Sequence, residues 1–162
     1  MSTRANITIV TRQGKFLFQG NSSMYPSNTM EDIFKFATST AHKVEKKIDF
    51  FDEPHSRDLS NFIDDCGLTL GQIGNPSYFY EIDFAQKKIR VWGYKMRWIN
   101  APLDWKERGW NCYENKNGKY GWHSFIKGKL LLQLSFNEMI DDVLDGEVIM
   151  NKTKLENSLV IE

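Results

Sequence analysis

The chain is poor in the residues from which several common kinds of protein are built. Two cysteines in 162 residues, Cys66 and Cys112, are too few for a disulfide scaffold or a thiolate zinc site; both are read as reduced thiols, as in a cytoplasmic protein. The three histidines, His42, His55 and His123, stand in no His-Glu-x-x-His or His-x-x-x-His spacing, so no metal pair is predicted. No stretch comes near the roughly 18 apolar residues of a membrane helix. The amino terminus carries no basic, apolar, small-residue leader. Glycine-rich phosphate loops and Gly-x-Ser-x-Gly are missing. The formal net charge is zero, so the field of the whole molecule argues for neither nucleic acid nor a membrane. No cofactor is expected and no catalytic residue is assigned.

What is present suits a single globular domain over residues 1–162: 41% apolar and 14% aromatic residues are enough to fill one core. The zero charge hides an uneven distribution. Residues 1–85 carry 8 Lys/Arg against 11 Asp/Glu, residues 86–130 carry 11 against 3, and residues 131–162 carry 2 against 7. The middle segment is therefore a basic stretch between two acidic ones, able to pair with them within the fold or to recruit an anion.

Ala5-Asn6-Ile7-Thr8-Ile9-Val10, a turn at Gln13-Gly14 and Lys15-Phe16-Leu17-Phe18-Gln19 predict a hairpin. Helical spacing of Met30, Ile33, Phe34, Phe36, Ala37, Ala41 and Val44 predicts a helix over 28–47, capped by Asn28 or Thr29. Pro54 ends that element; residues 56–66 read as a second helix closed by Gly67, and residues 67–76 as a loop. A second hairpin follows, with strands over 78–84 and 88–94; Tyr78, Tyr80, Ile82 and Phe84 share one face of its first strand, Ile89 and Val91 one face of its second. Residues 96–123 predict a long loop or irregular hairpin with a turn at Asn115-Lys116-Asn117-Gly118, and residues 129–134 a buried strand. Ser135-Phe136-Asn137-Glu138 has capping-box spacing and predicts a helix through Leu144, ended by Gly146. Leu159-Val160-Ile161 closes the tail as a docking or edge segment. The fold expected is α+β, an antiparallel sheet with two or three helices covering one face.

The interval from Lys88 to Lys129 holds all five tryptophans, interleaved with Tyr94, Tyr113, Tyr120 and seven Lys or Arg residues from Arg90 to Lys119. Aromatic faces stack on bases and Arg or Lys pairs with phosphate, so this mixture suits a nucleotide or single-strand binder. The candidate ligand-binding residues are Arg90, Trp92, Tyr94, Arg97, Trp105, Arg108, Trp110, Trp122 and His123. Arg90, Trp92 and Tyr94 alternate along one strand and are expected on one sheet face. Against this stands the commoner fate of tryptophan: most of the five are expected to fill the core, with Lys and Arg stems laid over them. The acid pairs Asp64-Asp65 and Asp141-Asp142 are read as solvated helix faces, since neighbours on a helix point about 100° apart. Cys112 is read as an ordinary small thiol.

The opening Met1-Ser2-Thr3-Arg4-Ala5-Asn6-Ile7 resembles that of a group of small phage and bacterial proteins, which typically begin Ser-Thr-Arg-Ala-Asn-Ile and later carry an Asp-Gly-Tyr-Pro stretch, of which Tyr25-Pro26 stands here. The resemblance implies a phage-type accessory protein with no activity to carry over, its setting the cytoplasm, that of the host cell if phage-encoded; such proteins often counter host defences, which raises the prior for an anti-defence role. Combined with the aromatic and basic interval, it favours a protein that sequesters a small phosphorylated ligand such as a nucleotide signal. The alternatives are an inhibitor docking on a host defence protein, a nucleotide hydrolase using His123, and, less favoured at zero net charge, a single-strand nucleic-acid binder. A membrane partner is not expected, and a homo-oligomer is compatible with the sequence.

Overall fold

The structure, a computed structural model, describes residues 3–44 and 55–161; the expectations for residues 45–54 and for the side chains of His42 and His55 lie outside the described residues. The predicted first hairpin is present as β1 (Ala5–Thr11) and β2 (Gly14–Gly20), paired Ile7 to Phe18 and Ile9 to Phe16. Helix α1 (Pro26–Val44) starts two residues before the expected cap, because proline, with no N–H to leave unpaired, suits a first helical turn. Helix α2 (His55–Cys66) ends where Gly67 takes a φ of +63°. The next residues form a short strand, β3 (Leu68–Leu70), where a loop was expected: Leu68 pairs with Gly20 and is buried, and that contact with β2 is tertiary.

The second hairpin consists of β4 (Tyr78–Asp83) and β5 (Lys88–Asn100). Two-residue β6 (Tyr113–Glu114) and β7 (Tyr120–Ser135) follow, so of the two forms expected for 96–123 it is the irregular hairpin that is present, with strand at both ends of the interval and a long connection between them. The seven strands take the order β3-β2-β1-β4-β5-β7-β6. The sheet is mixed, not antiparallel throughout, because β4 runs parallel to β1 in the register Ile7 to Tyr80 and Ile9 to Ile82. The physical reason is the connection: a parallel pair needs a long crossover, and α1 and α2, lying between β2 and β4 in the chain, carry it back to enter beside β1 from the same end.

The capping box at Ser135 and Glu138 is formed, yet α3 (Phe136–Met139) lasts one turn. The predicted helix gives way to a ribbon of β8 (Ile140–Leu144) and β9 (Glu147–Met150). Asp145 and Gly146 both have positive φ, 52° and 79°, the two-residue hairpin turn favoured by Asp-Gly; the glycine reads equally well as a helix stop, which misplaced the element. The tail is a further helix, α4 (Lys152–Leu159), whose Asn151 side chain accepts the Lys154 N–H at 3.1 Å. No described helix is long and apolar enough to cross a membrane.

The core lies between α1 and the sheet face that carries Ile7, Ile9, Phe18, Tyr80, Ile82, Ile89 and Val91. Met30, Ile33, Phe34 and Ala37 enter it from α1, and Phe36 stacks on Phe62 of α2 at 4.6 Å. Leu155, Leu159 and Ile161 pack on its margin, which docks the tail. The expected layer of helices across one face is replaced by a cluster: α1 is flanked by α2, α4 and β9, while the outer part of β5 and β7 stays half-buried or exposed on both faces. A polar bond crosses the core, where the buried Tyr80 hydroxyl donates to the Met24 carbonyl at 2.6 Å.

Tyr80→Phe leaves that buried carbonyl without its donor and is expected to cost about 1–2 kcal/mol, read by urea unfolding with an unchanged m-value. Glu138 is held below the usual carboxylate range by the Ser135 backbone N–H. A depressed folded pKa stabilises above the unfolded value of about 4.3 and the gain is lost as pH falls through the folded value. Glu138→Gln is therefore expected to flatten this part of the acid limb of the stability profile, checked by thermal unfolding against pH.

Candidate functional site

Strand β4 stops pairing with β5 at Tyr78 and Gly93, whereas β5 and β7 stay paired out to Asn100 and Gly121. From Tyr94 onward these two strands leave the sheet as a ribbon, about 20 Å long at strand rise, termed the arm below. Two register shifts beside Trp92 mark its base. They bend a strand pair and raise its twist. Gly121 and Gly128 hold the strands together where a side chain does not fit: a Cβ on Gly121 would run into the Ile99 carbonyl oxygen, and one on Gly128 would lie 2.8 Å from the Tyr94 carbonyl.

The tip is ordered by its own backbone. The Trp110 N–H donates to the Trp105 carbonyl and the Arg108 N–H to the Asp104 carbonyl, both at 3.1 Å. The turn predicted at Asn115-Lys116-Asn117-Gly118 is present: the Asn115 side chain accepts the N–H groups of Asn117 and Lys119, and Gly118 has a φ of +76°.

Alternation along β5 and β7 sorts the candidate residues onto two faces. The open face, opposite the core, carries Arg90, Trp92, Tyr94 and His123, together with Met96, Trp98 and Phe125. Arg90 is fully engaged there, donating to Glu81 at 2.6 Å, to Gln86 at 2.7 Å and to Gln133 at 3.0 Å. Lys127 ends 3.6 Å from the same Glu81 carboxylate and 4.0 Å from the centre of the Trp92 ring. Tyr94 stacks on Phe125 at 5.0 Å, and His123 meets the Trp98 ring at 5.2 Å. His123 has no hydrogen bond to a carboxylate among the described residues.

The face that continues from the core carries Arg97, Trp105, Arg108, Trp110 and Trp122, gathered at the tip. Trp110 and Trp122 meet edge to face at 5.8 Å, and the Arg108 guanidinium lies 5.1 Å over Trp110 while pairing with Asp104 at 2.9 Å. Trp105 and Tyr120 stack at 5.3 Å with their planes inclined by 30°, and the Lys106 ammonium lies 5.5 Å from the centre of the Trp105 ring. Arg97 is exposed and has no ion pair among the described residues. Two clefts open here: one of about 410 Å³ lined by Asn100, Pro102, Leu103, Trp105, Lys119 and Tyr120, and one of about 240 Å³ between Trp110, Asn111 and Trp122.

None of the five tryptophans is among the buried core residues, and Trp110 is 41% exposed. The expectation that most of them fill the core is overturned. The core positions of β5 are Ile89 and Val91, and the tryptophans begin at Trp92, where the neighbouring sheet is about to end. Trp98, Tyr120, Lys119 and Asn100 belong to the arm's surface and stood outside the candidate set. A signal for them existed, since Trp92, Tyr94, Met96 and Trp98 alternate with Lys95 and Arg97 as a two-faced strand does. Both cysteines are free; burial and the neighbouring Asp32 push the Cys66 thiol up to about 12. Among the described residues no group of three or more His, Cys, Asp or Glu side chains is arranged to hold a metal ion.

The chain matches no protein-family model, and no curated protein or solved structure is significantly similar to it. Gly121→Ala tests the arm directly: the clash with Ile99 is expected to destabilise the protein by about 1–3 kcal/mol, as overpacking does. It should also shift the tryptophan emission, both effects being read in one fluorescence-monitored melt.

Proposed function

We propose that this is a binding protein whose arm holds an aromatic, phosphate-bearing ligand of the nucleotide class and sequesters it without turnover. The observation that carries the reading is the position of the tryptophans: all five lie outside the buried core, Trp92 at the base of the projecting ribbon and the other four on it, and the ribbon also bears Lys95, Arg97, Lys106, Arg108 and Lys119. A base stacks on Trp105, Trp110 or Trp122, and its phosphate pairs with Arg97, Arg108 or Lys119. Arg90, committed to Glu81, contributes by bracing β4 against β5. The sequestering role follows from the resemblance of the amino terminus to phage accessory proteins and belongs to the same proposal, with the host cytoplasm as its setting.

A second reading, an inhibitor that docks on a host defence protein, is favoured by one observation: Leu103 and Tyr113 stand far out at the tip, 106% and 70% exposed. Tyrosine, tryptophan and arginine on such a tip are the residues that dominate protein interfaces.

The test is a tryptophan-fluorescence titration and melt against linear and cyclic nucleotides, with the matching nucleosides as controls. Nucleotides are expected to quench emission and raise Tm, and nucleosides to bind more weakly. Trp110→Ala and Arg97→Ala should each weaken binding about tenfold, the scale of one stacked base or one phosphate pair. The ligand should return from the denatured complex with its mass unchanged. No response to any nucleotide overturns this reading in favour of the protein partner.

A further inference from the structure

We infer that the base of the arm holds a second ligand site, a cleft that takes a small planar carboxylate. The cleft has a volume of about 420 Å³, within the range of small-molecule pockets, and is lined by Tyr25, Tyr78, Gly93, Lys129 and Leu131. It shares no lining residue with the two clefts at the tip. Tyr78 lies on the face of β4 that carries Tyr80 and Ile82, so the cleft opens where the core face of the sheet meets the arm.

Two backbone features converge on it. Val91 pairs with Leu132, Trp92 with Leu130 and Tyr94 with Lys127, so the register between these strands leaves out Gly93 on β5 and Gly128, Lys129 and Leu131 on β7. Extra residues of this kind re-aim side chains and recur beside active sites, and three of these four line the cleft. The second feature is Gly93 itself. Its φ lies outside the left-handed region, and a Cβ there would meet only Leu131 Cδ1, at an ordinary 3.8 Å. Neither the backbone conformation nor a crowding strand requires glycine, in contrast to Gly121 and Gly128. A glycine inside a strand costs stability, and what its missing side chain leaves here is open space for a ligand.

The lining sets the ligand class. Tyr25 and Tyr78 meet edge to face at 6.3 Å and offer ring surface to a flat apolar body. Among the described residues Lys129 is the one charged group lining the cleft; it is exposed and has no ion pair there, so a single negative charge balances it. Thr3 and Ser77 also line the cleft, and their hydroxyls can donate to a carboxylate oxygen. A phosphate is matched better by the guanidinium groups at the tip, so this inference does not rest on the nucleotide reading.

Amide NMR of the full chain, titrated with benzoate and indole-3-carboxylate against the neutral amides of the same rings, tests the inference. The acids are expected to shift the resonances of Tyr78, Gly93 and Leu131, and the neutral amides to bind about tenfold more weakly, the scale of one charge-assisted contact. Gly93→Val fills the cleft and is expected to abolish binding without lowering Tm. Lys129→Met should bring each acid and its amide to equal affinity, and it decides the question alone if Gly93→Val folds poorly. Trp110→Ala, at the tip, should leave the carboxylates bound as before. No shift with either acid at millimolar concentration overturns the inference, as does binding that Gly93→Val and Lys129→Met both leave intact or that Trp110→Ala removes.

Discussion

Everything distinctive about this molecule depends on a mismatch of strand lengths. Strand β4 has six residues, β5 thirteen and β7 sixteen, so the antiparallel pairing of β5 with β7 runs past the end of the sheet that supports it. Within the sheet, Ile89 and Val91 of β5 join the core cluster to which α1 contributes and are buried. Beyond it the same alternation produces a ribbon with two uncovered faces, and side chains that would be core in a longer sheet become surface. A two-stranded ribbon is weak alone; here it is held by stacked aromatic pairs and by glycines that let the backbones approach.

The charges follow the same division. Glu81, in the middle of β4, gathers Arg90 of β5 and Lys127 of β7 and so balances charge on the open face below the arm. The partly buried setting makes this pairing worth more than the exposed Arg108 and Asp104 pair at the tip, which water and salt screen. Lys95 and Arg97, which have no carboxylate partner among the described residues, are on the other face. One ribbon thus presents a mainly aromatic side, with Lys127 and His123 among its rings, and a side with the unpaired cations Lys95 and Arg97.

How much was legible can be seen in particular residues. The β1–β2 hairpin, the apolar stripe of α1, Gly67 after α2 and the Ser135–Glu138 capping box are local patterns, and each appears at the expected residues. Gly146 misled because a glycine after a helix and a glycine in an Asp-Gly hairpin read the same; only the pairing of Val143 with Val148 distinguishes them. Arg90 was read as a phosphate ligand since its partner Glu81 becomes adjacent only when β4 and β5 pair. Of the candidate residues, five lie on the cationic face and four on the open face; Arg90, Trp92 and Tyr94 share a face as their predicted strand implies, while the faces of Arg97, Trp122 and His123 follow from alternation within the interval read as a long loop or irregular hairpin.

The sequence by itself determined the helical and strand periodicities, the caps and turns, and the concentration of tryptophan and cation within one basic segment, because these depend on neighbours within a few residues. Tertiary structure decided that β4 runs parallel to β1, that Glu81 takes up Arg90, and that the tryptophans stay outside the core. Burial is a property of what lies across a face, and what lies there comes from distant parts of the chain: Ile89 and Val91 share the core cluster to which α1 contributes, and that cluster does not extend to the arm.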